Sequence, residues 1–106
     1  MIYSVRAKLV AEMSEEFYRQ LTDGTIERQR PDGSEIVSSM ERARIADDGT
    51  VRWTETCFCP TPLKHERETV LDRYFSNIET EQIDTHISFG GESLIDHLAA
   101  AGLNHV

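Results

Sequence analysis

Cysteine is nearly absent from this sequence. Cys57 and Cys59 are its only two among 106 residues, one residue apart on a stretch that reads as a strand. Neighbours of that kind are badly placed for a structural disulfide, so reduced thiols and a cytoplasmic location are expected. Proline and glycine are few, three and six. No repeat, linker or low-complexity tract divides the chain, and residues 1–106 are expected to form a single domain.

Positive charge is in the minority, with 11 Lys and Arg against 19 Asp and Glu, a net charge of −8 and a pI near 4.9. A general nucleic-acid binder needs a basic surface to displace phosphate counterions, and an anionic membrane would repel this chain, so neither partner is expected. No apolar run approaches the roughly 20 residues that cross a bilayer. The opening Met1-Ile2-Tyr3-Ser4-Val5-Arg6-Ala7-Lys8 carries charge and no small-residue cleavage pattern, so no signal peptide is expected. Also missing are a Ser-His-Asp set, a Walker sequence and a dinucleotide glycine pattern. His65-Glu66 starts no zinc-protease motif, because the residue four after His65 is Thr69.

What is present is enough apolar surface, 39% of residues, to offset the entropy of ordering. Tyr3, Val5, Ala7 and Leu9 alternate with Ser4, Arg6 and Lys8 over residues 2–10, the period of a half-buried strand. Ser14 caps a helix with Glu15 and Glu16 in its first turn and Phe17 and Leu21 on one face, ending near Asp23 and Gly24. Residues 25–30 fit either a frayed helical turn or a short extended arm. Pro31-Asp32-Gly33 reads as a turn with glycine at positive φ, followed by a strand over residues 35–46, a turn at Asp47-Asp48-Gly49 and a strand over 51–59. Thr61 and Pro62 open a helix over 62–76 that Asn77 ends. Ile83, Thr85, Ile87 and Phe89 predict a strand over 83–89. After Gly90-Gly91, read as a strand-to-helix turn, Leu94, Ile95 and Leu98 mark a short helix closing at Gly102. His65, His97 and His105 read as surface residues.

These elements predict an α+β domain in the order β-α-β-β-α-β, with a four-stranded antiparallel sheet of order 4-1-3-2 and both long helices on one face. Residues 2–89 in that order resemble the ferredoxin-like fold, and the chain is similar in size to the dimeric α/β-barrel superfamily, in which two such sheets pack together. The resemblance is one of topology and carries no functional residue across. It implies a homodimer through the sheet faces and a range of activities, from cofactor-free monooxygenases and isomerases to haem enzymes and ligand binders.

Two registers compete for the hairpin around Asp48. A two-residue turn sets Arg44 beside Trp53, Arg42 beside Glu55 and Met40 beside Cys57. A three-residue Asp47-Asp48-Gly49 loop sets Ile45 by Val51, Ala43 by Trp53, Ser39 by Cys57 and Val37 by Cys59, and segregates apolar from polar better. In that register Glu41 lies opposite Glu55, and mutual repulsion would raise one pKa and supply a general acid or base. The alternatives are that both carboxylates reach solvent, or that Glu55 pairs with Arg42.

The covered face then offers a ligand pocket at Trp53, Tyr3, Ser39 and Cys57. The other face gathers Arg6, Lys8, Arg42, Arg44 and Arg52 with His86, a patch suited to a small anionic ligand or to ion pairs across a dimer interface with Glu79, Glu81 or Asp84. Direct RNA binding is not expected there, since Phe58 is the only aromatic the central strands offer on that side. C-x-C with a distant histidine lacks the spacing and fourth ligand of a closed zinc site, so packed cysteines, no metal and no cofactor are expected. Two functions follow: a small-ligand-binding or interaction module, or a cofactor-independent enzyme with a pocket between sheet and helices.

Overall fold

The computed structural model describes residues 1–103; His105 lies outside the described residues. The chain builds β1 (Ile2–Leu9), α1 (Ser14–Thr22), α2 (Gly33–Arg42), β2 (Arg44–Ile45) and β3 (Thr50–Thr56). A helical stretch follows, made of α3 (Lys64–Glu66), a π-helical turn over Arg67–Leu71 and α4 (Asp72–Tyr74). β4 (Phe75–Ile83), β5 (Glu92–Ser93) and α5 (Leu94–Leu103) complete it. The result is an α+β fold whose antiparallel sheet runs β4-β1-β3-β2-β5. This topology is compatible with the ferredoxin-like arrangement, with one short edge strand more than expected.

β1 is an interior strand, paired with β4 on one edge and β3 on the other, and its alternation separates a buried from an open face. Tyr3, Val5 and Ala7 are buried while Arg6 is exposed. On one side Val5 faces Trp53 and Tyr3 faces Glu55 of β3; on the other Arg6 faces Glu79 of β4. The covered side is closed by aromatic packing from four elements. Phe17 of α1 stacks on Tyr74 with centroids 4.2 Å apart and meets Phe75 edge-on at 5.6 Å, and Phe75 lies 4.9 Å from Trp53. Tyr74 remains polar-satisfied, its hydroxyl sharing one proton between Glu16 Oε2 at 3.0 Å and Gln20 Oε1 at 2.9 Å.

The strand expected over 35–46 is instead the helix α2, with only Arg44 and Ile45 extended. Ile36, Ser39 and Met40 form its buried stripe at three- and four-residue spacing. The β-branched Ile36-Val37 pair suggests a strand, but burying that stripe outweighs the small propensity cost of two β-branched residues. Gly33 also acts differently from the turn reading. It has no positive φ; a Cβ there would come within 2.2 Å of the Ile26 carbonyl oxygen and 2.7 Å of that of Glu27. Glycine therefore lets α2 start directly against the turns of residues 25–30.

The hairpin has the three-residue loop, with Ile45 opposite Val51 and Gly49 at φ +86°. Asp48 Oδ1 accepts from the Thr50 N–H at 2.9 Å inside it. The pairs expected beyond it do not form: Ala43, though extended, gives its N–H to the Met40 carbonyl and accepts from the Leu94 N–H instead of pairing with Trp53, and Val37 and Ser39 are helical, so they cannot pair with Cys59 and Cys57. Met40 and Arg42 leave the sheet for the same reason: Met40 is fully buried on α2, and Arg42 reaches across to donate to the Thr54 carbonyl at 3.0 Å.

The last long strand is also displaced, from 83–89 to β4 at Phe75–Ile83, and residues 84–91 are irregular. β4 follows Tyr74 without a loop, and Asn77, expected to end the helix, sits inside β4 at φ +53° where the pairing with β1 shifts register. As an edge strand β4 is mostly polar, so it lacks the apolar alternation that marks a buried one. Ile87, expected among the apolar residues of a strand over 83–89, is 49% exposed in this irregular stretch.

Candidate functional site

β3 leads out of the sheet into Cys57-Phe58-Cys59, and the chain then turns through Leu63 into α3. Leu63 is wholly buried and left-handed, φ +56°, which costs a non-glycine residue about 1–2 kcal/mol. That turn sets the phase of Lys64-His65-Glu66, and Glu66 consequently points inward at 1% exposure. The Cys59 thiol donates to Glu66 Oε1 at 3.4 Å, and the Cys59 N–H donates to Cys57 Sγ at 3.3 Å.

On the covered face of β3, Glu55 is 0% exposed and its Oε1 accepts the Trp53 indole N–H at 2.8 Å. Among the described residues, Glu55 Oε2 and Glu66 Oε2 have no hydrogen-bond partner. The start of α2 adds two more carboxylates. Asp32 shares a short hydrogen bond with His65 Nδ1, and Glu35 Oε1 accepts the Thr56 N–H at 3.0 Å. A cavity of about 410 Å³ opens here, lined by Pro31, Asp32, Glu35, Thr56, Cys59 and His65, with Phe58, 87% exposed, at its rim.

The electrostatics of this corner are those of crowded, poorly solvated acids. Burial pushes the Glu55 carboxyl up to about 8, the indole hydrogen bond opposes this, and Glu66, Glu35 and Asp32 add to it. Burial, then the hydrogen bond to Glu66, pushes the Cys57 thiol up to about 12. Cys57 Sγ, Cys59 Sγ and a Glu66 oxygen lie within 4.8 Å of one another, and so do donor atoms of Asp32, His65 and Glu66.

The expected pairing of Glu41 with Glu55 does not occur. Glu41 lies on the exposed side of α2, because residues 35–42, expected as strand, are helix, and the largest carboxylate influence on Glu55 is Glu66. Of the pocket residues, Tyr3, Trp53 and Cys57 are buried on the covered side of the sheet as expected. Ser39 is buried too, but on α2, where it donates to Glu35 Oε1 at 3.4 Å. None of Tyr3, Ser39, Trp53 and Cys57 lines the cavity. Asp32, Glu35, His65 and Glu66 are members that sequence reasoning missed. Glu66 left one signal: it falls three after Leu63 and four before Val70, a carboxylate on an apolar helical stripe.

The open face holds most of the basic patch. Arg6 faces Arg52 and Arg52 faces Arg44, so three guanidiniums cross three adjacent strands in one row. Arg6 is ion-paired with Glu79, and the Lys8 ammonium donates to the Asp48 carbonyl at 2.9 Å. His86 lies over the same face, its ring nitrogens 2.7 Å from Thr54 Oγ1 and 3.2 Å from Thr56 Oγ1. Arg42 is absent from this group. Among the described residues no helix is long and apolar enough to cross a membrane. No protein-family model matches this chain, and neither a curated protein nor a solved structure matches it.

Proposed function

We propose that this chain is a small-ligand-binding domain of the dimeric α/β-barrel kind, and that its ligand enters the acidic cavity between the start of α2 and the end of β3. One observation carries the reading. Glu55 and Glu66 are both buried, and each keeps an oxygen without a partner. Native folds rarely leave buried carboxyl groups unsatisfied, because the desolvation is not recovered. Neither Glu55 nor Glu66 lines the cavity, but Glu66 lies directly behind it, accepting from the Cys59 thiol of the lining, so its open oxygen is better explained by what binds there than by stability. Asp32 and Glu35 supply the carboxylates of an otherwise largely apolar lining, the first bonded to His65 and the second 3.8 Å from Arg42 Nη2, and their remaining acceptor capacity favours a ligand that is cationic or donates hydrogen bonds.

A thermal-shift screen over cationic, neutral and anionic small molecules tests this, since a ligand that prefers the native state raises the melting temperature. Cationic compounds are expected to raise it in the wild type and to lose the effect in Asp32→Asn. Stabilisation by anions alone, unchanged in Asp32→Asn, would move the ligand site to the arginine row of the open face.

The homodimer belongs to the same reading. The open sheet face carries Arg52 and Arg44 on β3 and β2 and Glu79 and Glu81 on the far edge strand β4, and a second copy turned by a two-fold axis would set opposite charges against each other. Light scattering at micromolar concentration should give the mass of two chains; the mass of one would remove the dimer from the proposal.

A further inference from the structure

We propose that the ligand of this site is a zinc-class divalent cation, held by the sulfurs of Cys57 and Cys59 and the carboxylate of Glu66, with His65 and Asp32 beside the remaining coordination position. The proposal deepens the ligand-binding reading above and rests on the same cavity being a binding site.

The geometry is close to what such an ion needs. Bonds of about 2.0–2.3 Å in a tetrahedral site put donor atoms roughly 3.3–3.8 Å apart. Cys59 Sγ and Glu66 Oε1 are already 3.4 Å apart, and the two sulfurs and the Glu66 oxygen all fall within 4.8 Å of one another. Glu66 is common to this triplet and to the one it forms with Asp32 and His65. The second group therefore extends the first around a shared carboxylate.

An independent feature points to a cation. Glu66 is 1% exposed, its Oε2 has no hydrogen-bond partner, and no ion pair among the described residues includes it. A buried carboxylate with neither cation nor full hydrogen bonding is a large electrostatic debt, and a divalent ion between it and two sulfurs would cancel it.

The donor chemistry selects the class of ion. Thiolates and imidazole suit zinc and its borderline-soft neighbours, whereas magnesium and calcium take oxygen donors. The N–H of Cys59 directed at Cys57 Sγ is the kind of outer contact that steadies negative charge on a ligating sulfur. Each thiol gives up its proton to solvent as its sulfur coordinates, so no oxidant or further reactant is needed. The C-x-C spacing alone supports core packing. The structure adds what the spacing lacks, a third donor in Glu66, while His86 sits on the opposite sheet face against Thr54 and Thr56.

The test uses the whole chain after chelator treatment, with cobalt(II) as a coloured stand-in for zinc. Wild type should take up one equivalent, develop thiolate-to-cobalt charge-transfer absorption in the near ultraviolet, lose it to added zinc, and melt at a higher temperature with either metal. Cys59→Ser and Glu66→Gln should weaken binding by at least about tenfold, the low end of what loss of a mere supporting contact costs. Glu41→Gln, on the exposed side of α2, should bind as wild type does. Cys59 is half-buried and serine is smaller, so that variant should fold, which its melting curve in chelator checks directly.

No charge-transfer band in wild type, or equal binding by wild type and Cys59→Ser, overturns the metal. Ligand binding by the cavity is measured separately, in chelator. If cobalt fails but cationic organic compounds still stabilise wild type and not Asp32→Asn, the cavity binds a ligand that is not a metal. If both arms fail, the cavity is not a binding site at all.

Discussion

The indole N–H of Trp53 donates to Glu55 Oε1 at 2.8 Å, from a side chain two residues earlier on the same face of the same strand, and both groups are fully buried. The bond satisfies the one polar atom of the tryptophan and half of the carboxylate. It also fixes Glu55 beneath the helices, where desolvation outweighs the hydrogen bond and pushes the carboxyl up to about 8.

A pH dependence of stability follows. Folded Glu55 holds its proton to about pH 8, while the unfolded chain releases it near the ordinary 4.5, so the native state binds more protons between those values. Stability contributed by this group is fully present below the lower value and falls as pH rises through the upper one. The total loss is on the order of a few kcal/mol. Melting temperatures in chelator should fall from pH 5 to pH 8.5, and Glu55→Gln should flatten that slope; a wild-type curve that is flat or rises over the range would contradict the burial of this carboxylate.

Glu66→Gln should stabilise the metal-free protein at neutral pH. The amide keeps the shape and an acceptor for the Cys59 thiol, and it removes a buried carboxylate oxygen that has no partner among the described residues. A gain of about 1–2 kcal/mol in urea denaturation is expected, at the low end for replacing poorly compensated buried charge. A loss of stability would mean that the carboxylate is satisfied in solution.

Gly33→Ala and Gly49→Ala should differ in size because the two glycines serve different ends. At Gly33 a methyl group meets backbone oxygens at 2.2 and 2.7 Å, which cannot rotate away, so α2 must shift. At Gly49 no atom lies within 4 Å, and only the φ of +86° is unfavourable to a side chain. Denaturant midpoints should report about 3 kcal/mol or more for the first and about 1–2 kcal/mol for the second. Equal effects would mean that α2 does not start where it is placed here.

Legibility in the sequence followed how local the signal was. β1, β3 and the helical stretch through Val70, Leu71 and Tyr74 carry strong periodicity, and the Ile45–Val51 pair was settled by the better segregation of one hairpin register. α2 was hidden because Pro31-Asp32-Gly33 looks like a turn and Ile36-Val37 like a strand, while the contact that demands Gly33 comes from a carbonyl seven residues earlier. β4 was hidden because an edge strand needs little apolar alternation. The site was half-visible. Glu55, Trp53 and Cys57 share a face by strand period alone, but Asp32 and His65 meet from segments 33 residues apart, and no local pattern announces a contact of that separation.

The row Arg6–Arg52–Arg44 predicts a salt-dependent strain on the open face. Like charges directly opposite on adjacent strands are destabilising. Arg6 is neutralised by Glu79, whereas among the described residues Arg52 has no carboxylate partner although it sits between the other two. Arg52→Thr keeps a residue suited to a strand and removes the central charge. It should stabilise the free protein by about 0.2–1 kcal/mol at low ionic strength. Raising the salt should erase most of that gain, because charges this exposed are screened within about 3 Å at 1 M. The measurement is chemical denaturation at two ionic strengths, below the concentration at which light scattering shows any association. If Arg52→Thr is destabilising at low salt, the guanidinium is held by a partner that offsets the repulsion, and an anion or an acidic residue of a second chain would be the first place to look.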